Sequence, residues 1–193
     1  MNAQQESPRR FLLLNGPPGC GKDTLAGLLY GRYTPQVRPE KLAYPLRLYI
    51  MSRCTQAANP VWFEANKDIP LPSLDGMTIR QAMIEYYQRT SKVSEEGELW
   101  LVPLLWSRVN MLPPSVIVIT DTGRQSEADR LALLAGEENV RVIRLHRVGC
   151  DFSKDIRSYI KHKYAWDVEN VEAHPLLMQS EVSSIIADWL VAE

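Results

Sequence analysis

The chain has 193 residues, with 22 lysine and arginine residues against 23 aspartate and glutamate residues. Hydrophobic residues make up 45% and charged residues 23%, which is typical of a globular protein and argues against a disordered chain. The net charge of −1 disfavours nucleic-acid binding by bulk electrostatics, so any such contact must be local. The length suits one domain, and we expect residues 1–193 to form it.

The cysteines and the apolar runs indicate the cellular environment. Cys20, Cys54 and Cys150 are far apart and form no CxxC pair, which suits a reducing compartment better than a disulfide framework. No apolar run approaches the roughly 20 residues that a membrane-spanning helix needs. We therefore expect a cytoplasmic protein that does not contact a membrane.

Predicted strands and helices alternate along the chain. Apolar, β-branched runs and helical spacing of leucines are the main signals, and a capping-box pattern begins at Thr78. We expect strands at residues 10–14, 41–44, 115–120 and 140–145, an irregular segment at 59–76, and helices at 22–33, 45–58, 78–88, 94–110, 126–135 and 175–192. This alternation predicts an α/β domain with a mostly parallel sheet, in which ligands bind beyond the carboxyl ends of the strands.

A glycine-rich segment, Gly16–Thr24, lies between the first predicted strand and the first predicted helix. This is the context of a phosphate-binding loop, in which backbone N–H groups and a helix N-terminus surround an anion. Lys22 would bridge the β- and γ-phosphates of a nucleotide. The residues expected to form this loop are Gly16, Gly19, Cys20, Gly21, Lys22, Asp23 and Thr24.

The loop departs from the usual spelling at the position that binds magnesium. Asp23 occupies the place of the serine or threonine hydroxyl, and Thr24 follows one residue late. Mg²⁺ would then be held through water, or by Thr24 or Asp23. Asp121, which ends the strand predicted at 115–120, would hold Mg²⁺ through water or bind substrate.

The loop resembles those of nucleoside monophosphate kinases, and its Gly-Lys-Asp-Thr form is most similar to the bacteriophage deoxynucleoside monophosphate kinases. Further segments resemble that family in the same order along the chain, namely Lys41–Arg47, Gly76–Gln81, Asp121–Arg124 followed by Glu127, and Val142–Leu145. The resemblance implies a three-layer P-loop kinase fold. It also implies an acceptor-binding insertion at about 45–110 and a lid at about 147–165.

The resemblance further implies phosphoryl transfer from ATP, with Mg²⁺, to a small nucleoside monophosphate, for which a deoxynucleotide is expected. The residues it implies for catalysis are Lys22, Asp23, Asp121, Arg124 and Arg157; for acceptor binding Arg47, Arg80 and Arg124; and for metal binding Thr24 and Asp121. Seven basic residues against two acidic ones between Arg141 and Lys163 fit a lid that brings Arg157 or Arg147 to the γ-phosphate.

Two other functions remain open at this point. One is a phage-type DNA kinase that phosphorylates the hydroxyl of a hydroxymethyl-pyrimidine in DNA, with Asp23 or Asp121 as the base that an alcohol requires. The other is a nucleotide-binding module without transfer activity. A segment rich in tryptophan and leucine, residues 99–109, would serve as core or as the face of a homodimer.

Overall fold

The computed structural model describes residues 9–113, 115–153, 157–171 and 174–190. Within this part of the chain, five strands alternate with eight α-helices. The strands are β1 (Arg10–Asn15), β2 (Val37–Glu40), β3 (Val116–Ile119), β4 (Val140–His146) and β5 (Ala165–Glu169). The helices are α1 (Lys22–Tyr33), α2 (Tyr44–Arg53), α3 (Pro60–Ala65), α4 (Ile79–Val93), α5 (Leu101–Asn110), α6 (Gln125–Ala135), α7 (Pro175–Ile185) and α8 (Ala187–Leu190).

The five strands form one parallel sheet in the order β2-β3-β1-β4-β5. β1 lies at its centre, with Leu12 opposite Val118 of β3 and Leu13 opposite Val142 of β4. Continuous apolar runs suit these strands because a parallel sheet is covered by helices on both faces. The expected α/β fold with a mostly parallel sheet is confirmed.

Side chains of β1 alternate between two helical layers. Leu12 and Leu14 belong to a buried cluster that also contains Leu25 of α1 and Val182 of α7. Phe11 points to the opposite face, where its ring stacks on Trp106 at 5.8 Å between centroids. The sheet is therefore the middle layer of three, and its carboxyl edge is left for loops.

Both edge strands differ from the sequence prediction. The second strand is Val37–Glu40, so the prediction of a strand at residues 41–44 is wrong. Pro39 is tolerated there because an edge strand does not need every backbone N–H for pairing. β5, which carries polar residues at alternate positions, was not predicted. The correction of β2 moves Lys41 from inside a strand to just beyond its carboxyl end.

Several helix boundaries also differ. The capping box at Thr78 is confirmed, since its Oγ1 accepts from Gln81 N at 3.1 Å, but the helix continues to Val93. α5 begins at Leu101 rather than at 94, which places Pro103 in the first turn, where a missing N–H costs nothing. The prediction of a helix over 45–58 is wrong beyond Arg53, where the α-helix ends.

Two further segments differ from expectation. Asn59 caps the short helix α3 inside the segment expected to be irregular, with Oδ1 accepting from Val61 N and Trp62 N. The single helix expected over 175–192 is divided into α7 and α8, and its last two residues lie outside the described residues.

The chain divides into two compact units. The first contains the residues up to Lys41 and from Trp106 onward, including all five strands, and the second is Leu42–Leu105. The second unit has its own apolar core, built around Ile50, Phe63, Leu74 and Ile79. Its range is close to the interval 45–110, whose role in acceptor binding stays a prediction. Among the described residues, none of the helices has the length and apolar character to cross a membrane.

Candidate phosphate-binding site

The phosphate loop, Gly16–Thr24, connects the carboxyl end of β1 to the first turn of α1. Gly21 precedes the helix in a left-handed conformation, with φ of 102°, which strains any residue that has a Cβ. Gly16 is needed for a different reason, because a Cβ there would lie 2.7 Å from both Cys20 Sγ and the carbonyl oxygen of Leu145. The loop conformation therefore depends on glycine at both positions.

The ammonium group of Lys22 lies inside this loop. Its Nζ donates to the carbonyl oxygens of Gly16 and Pro17 at 2.7 and 2.8 Å. In the first i to i−4 hydrogen bond of α1, Leu25 N donates to the carbonyl oxygen of Gly21. The N–H groups of residues 22–24 therefore have no acceptor within the helix. A cation and a helix N-terminus thus converge on one point, which is the arrangement that binds a phosphate.

Residues after β4 and β5 fasten the loop from outside. Asn170 Nδ2 donates to Cys20 O at 2.8 Å, and Arg147 Nη1 donates to Gly19 O at 3.1 Å. Burial raises the pKa of the Cys20 thiol, which Lys22 only partly offsets, so the side chain stays neutral. Sequence reasoning missed Asn170 because β5 was not predicted, although a polar residue directly after a strand was the available signal.

Asp23 forms an ion pair with Lys41, whose Nζ lies 2.8 Å from Oδ1. Although 74% of the Asp23 side chain is exposed, neighbouring protein partly dehydrates the carboxylate, which would raise its pKa. The hydrogen bond from Lys41, the nearby Thr120 hydroxyl and the charges of Lys41 and Lys22 outweigh this and lower the pKa of Asp23. The carboxylate is therefore ionised at neutral pH.

The backbone of Lys41 is itself held in place. Its carbonyl oxygen accepts from Arg108 Nη2 at 3.0 Å, and the same guanidinium pairs with Glu40 at 3.0 Å. No role was predicted for the Lys41 side chain, because a strand was expected at residues 41–44. Once β2 ends at Glu40, Lys41 lies at the carboxyl edge of the sheet, where ligands bind in this class of fold.

The β3 turn, Asp121–Arg124, follows the neighbouring strand. Glu127 is only 8% exposed, and its Oε2 accepts from the backbone N–H groups of Gly123 and Arg124, both at 3.2 Å. Burial raises the pKa of Glu127, against the lowering effect of these two bonds and of the Arg124 charge. The turn that carries the half-buried Asp121 and Arg124 is thus pinned to α6.

Hydrated magnesium, if bound here, would need oxygen ligands at the carboxyl edge of the sheet, and the identity of these ligands stays a prediction. Thr120 and Thr122 each bury an Oγ1 that meets no hydrogen-bond criterion with a partner in the described part of the chain. No three histidine, cysteine or acidic side chains of the described residues cluster as a metal site. Mg²⁺ commonly uses one or two carboxylates with water and phosphate oxygens, which suits Asp23 and Asp121. Thr24 is exposed on the first turn of α1.

Arg157 reaches the β3 turn from a distant part of the chain. Its side-chain stem lies directly on the backbone of Gly123. The wall segment, Arg157–Ile160, is bound by the buried Asn15 at the end of β1, which accepts from Ile160 N at 2.9 Å and donates to Ser158 O at 3.3 Å. The structure therefore brings Arg157 beside the turn that contains Asp121 and Arg124.

Two predicted acceptor-binding arginines lie in the second unit. Arg80 pairs with Asp68, with 2.7 Å between Nε and Oδ1. The Arg47 guanidinium lies 4.8 Å from the centroid of the Phe63 ring and donates to the carbonyl oxygen of Ala57. Their part in acceptor binding stays a prediction.

The basic residues counted between Arg141 and Lys163 do not form one patch. Arg141 pairs with Asp188, and Arg144 pairs with Asp167 at the far edge of the sheet. Arg147 contacts the phosphate loop. Lys154 and Asp155 lie outside the described residues.

Comparison with known proteins identifies the fold and no closer relative. No protein-family model and no curated protein matches the chain. Among solved structures, the protein APE1195 is 10% identical, with a TM-score of 0.55 over 95% of this chain and 98% of its own. A sugar kinase from Janibacter is 11% identical (TM-score 0.46, 96% and 100% covered). A gluconokinase from Sinorhizobium meliloti 1021 is 11% identical (TM-score 0.47, 95% and 94% covered).

The sheet order and the phosphate loop confirm the expected three-layer α/β fold with a central parallel sheet, and the match to APE1195 shows that another solved structure shares this fold. At such low identity the likeness concerns the fold alone. The activity of the protein is a separate question, which must be argued from the site.

Proposed function

We propose that this protein is an ATP-dependent phosphotransferase. The observation that carries the proposal is the position of Lys22, whose ammonium lies inside the loop at the start of α1, where the first-turn amides have no acceptor within the helix. That arrangement binds the phosphate chain of a nucleotide and neutralises the charge that shifts during transfer. Bound Mg²⁺ would screen the β- and γ-phosphates, with Asp23 and Asp121 as its protein ligands through water and Thr24 as a further candidate.

The acceptor we propose is a nucleoside monophosphate, which the reaction converts to the diphosphate. The support is the resemblance described above and the presence of Arg124 and Arg157 at one edge of the sheet. A guanidinium group can bind two oxygens of one phosphate at the same time. Arg47 and Arg80 of the second unit are further candidates for this role. An acceptor phosphate is already anionic, so positioning and charge neutralisation suffice and no general base is required.

One observation favours a second candidate, in which the acceptor is a hydroxyl such as that of a hydroxymethyl-pyrimidine in DNA. Asp23 places an ionised carboxylate directly after Lys22, where most such loops have a neutral hydroxyl. A carboxylate there repels an anionic acceptor, but it would accept the proton that an attacking alcohol must lose. The choice between the two acceptors therefore depends on what Asp23 does.

An acceptor screen with ATP labelled in the γ-phosphate tests these alternatives. We expect label on free deoxynucleoside monophosphates, and no label with a Lys22→Ala variant. Label only on DNA that contains hydroxymethyl-pyrimidine, together with loss of transfer in Asp23→Asn, would replace the first acceptor by the second. ATP binding without any labelled acceptor would instead support the non-catalytic nucleotide-binding module.

A further inference from the structure

The contact between Gly123 and Arg157 does not follow from the backbone conformation of the glycine. Gly123 does not have a positive φ, so its dihedral angles allow other residues. A Cβ at this position would nevertheless overlap Arg157 Cδ and lie 2.8 Å from Cγ. The nearest obstacle to a Cβ at position 123 is therefore the side-chain stem of Arg157.

The backbones on both sides of this contact are held independently. On one side, buried Glu127 binds the N–H groups of Gly123 and Arg124 and fixes the β3 turn. On the other side, Asn15, which is 1% exposed, binds Ser158 and Ile160 and fixes the wall segment at the end of β1. Neither backbone can retreat easily, so a side chain added at 123 would displace the side chain of Arg157.

We propose that Gly123 is a positioning residue for Arg157, and that Arg157, held beside the β3 turn, acts on the transferred phosphoryl group. The proposal deepens the proposed phosphotransferase function and rests on it. Charge in the transition state spreads over the oxygens of the phosphoryl group, and a cation that is already in position stabilises this charge without reorganisation. The sequence resemblance implies a role for Arg157 in a lid at about 147–165 that closes over the γ-phosphate.

The nature of the contact predicts a selective defect. The atoms that a Cβ would meet belong to the flexible stem of Arg157 and not to backbone. A Gly123→Ala substitution should therefore leave the fold intact and move the guanidinium away. Its effect should appear in the rate of transfer at saturating ATP, with little change in ATP affinity.

The test compares Gly123→Ala, Arg157→Ala and the double variant by kcat and by the ATP dissociation constant. We expect each single variant to lower kcat by about 10²-fold, the usual scale for one preorganised group. The double variant should be no worse than Arg157→Ala alone, since both changes remove the same interaction. Gly27→Ala is the matched control, because nothing lies within 4 Å of a Cβ at that exposed position of α1.

A second readout does not depend on activity. The Nε–H resonance of Arg157, identified by its absence in Arg157→Ala, should shift in Gly123→Ala and stay in place in Gly27→Ala. An unchanged kcat in Gly123→Ala, or losses that multiply in the double variant, would overturn the proposal while the wild type still transfers phosphate. Failure of the wild type to transfer phosphate or bind ATP would instead refute the proposed function, with the resonance shift still reporting whether Gly123 positions Arg157.

Discussion

The phosphate loop and the β3 turn form neighbouring parts of one sheet edge but are built in different ways. The loop comes from nine consecutive residues, and its shape follows from glycines and from the start of α1. The β3 turn is contacted by Arg157, which belongs to the wall segment. That segment is held by hydrogen bonds of Ser158 and Ile160 with Asn15, which is 143 and 145 positions earlier in the chain. The conformation of the loop is determined by neighbouring residues, whereas that of the β3 turn depends on contacts between residues remote in sequence. Substitutions in the two regions should therefore have different effects.

The largest effect should come from the locally specified region, at Lys22. We expect Lys22→Ala to lower the rate of phosphoryl transfer by about 10²–10³-fold, because Lys22 is the one basic residue in the sequence of the loop. Transfer assays and calorimetric titration with ATP measure this. Lys92→Ala, an exposed lysine of α4, controls for the general loss of positive charge. ATP binding that survives Lys22→Ala unchanged would contradict the role given to the loop.

The next effect concerns the stability of the same region. Gly21→Ala places a Cβ on a residue with φ of 102° and against the Asn170 amide, so we expect about 1–2 kcal/mol of destabilisation. Urea unfolding measures the change, and ATP affinity should fall with it. Gly27→Ala should instead stabilise α1 by about 0.5–1 kcal/mol. Equal effects of the two substitutions would show that the loop does not depend on the left-handed conformation.

The β3 turn should respond to pH through Glu127. Burial raises the pKa of this carboxyl above its ordinary value of 4.5, so the folded state favours the protonated form. Its contribution to the free energy of unfolding is therefore complete below pH 4.5 and declines as the pH rises through the raised pKa. Glu127→Gln removes this dependence, so the free energy of unfolding of the wild type, relative to that of the variant, should fall as the pH rises. A constant difference would contradict the expected shift.

The smallest effect should come from the exposed pair of Lys41 and Asp23. We expect Lys41→Gln to change the free energy of unfolding by at most about 1 kcal/mol, because exposed ion pairs contribute little. Since the pKa of Asp23 is lowered, the contribution is present above its ordinary value of 3.8 and is lost as the pH falls below it. High salt should also remove it. A larger change, or one that persists in salt, would mean that Lys41 stabilises the loop by other contacts.

The difference between the two regions also explains what could be predicted from the sequence. β1, the phosphate loop and α1 were predicted with nearly correct bounds, because a strand, a turn and a helix follow one another without interruption. The capping box at Thr78 was predicted for the same reason, since its two hydrogen bonds join residues three apart. Structures of this kind can be predicted from sequence because the residues that form them are close together along the chain.

The rest of the site could not be predicted, because its contacts join residues that are remote in sequence. Nothing in the pattern around Gly123 indicates that an arginine stem lies on it. The pairing of Lys41 with Asp23 was not predicted, because the second strand was expected at residues 41–44 and not at Val37–Glu40. Pro39 disfavours a strand when the sequence is considered alone. The acceptor roles of Arg47 and Arg80 stay predictions, since the contacts of these two side chains are with Asp68 and with Ala57 and Phe63.

The two edge strands affect whether copies of the protein can associate by strand pairing in concentrated solution. β2 has only four residues and includes Pro39, which offers no backbone donor to an incoming strand. β5, at the other edge, carries Asp167 and Glu169, whose like charges would oppose each other in a growing intermolecular ribbon. Neither border is a good template for strand addition, so a sheet shared between copies of this protein is disfavoured.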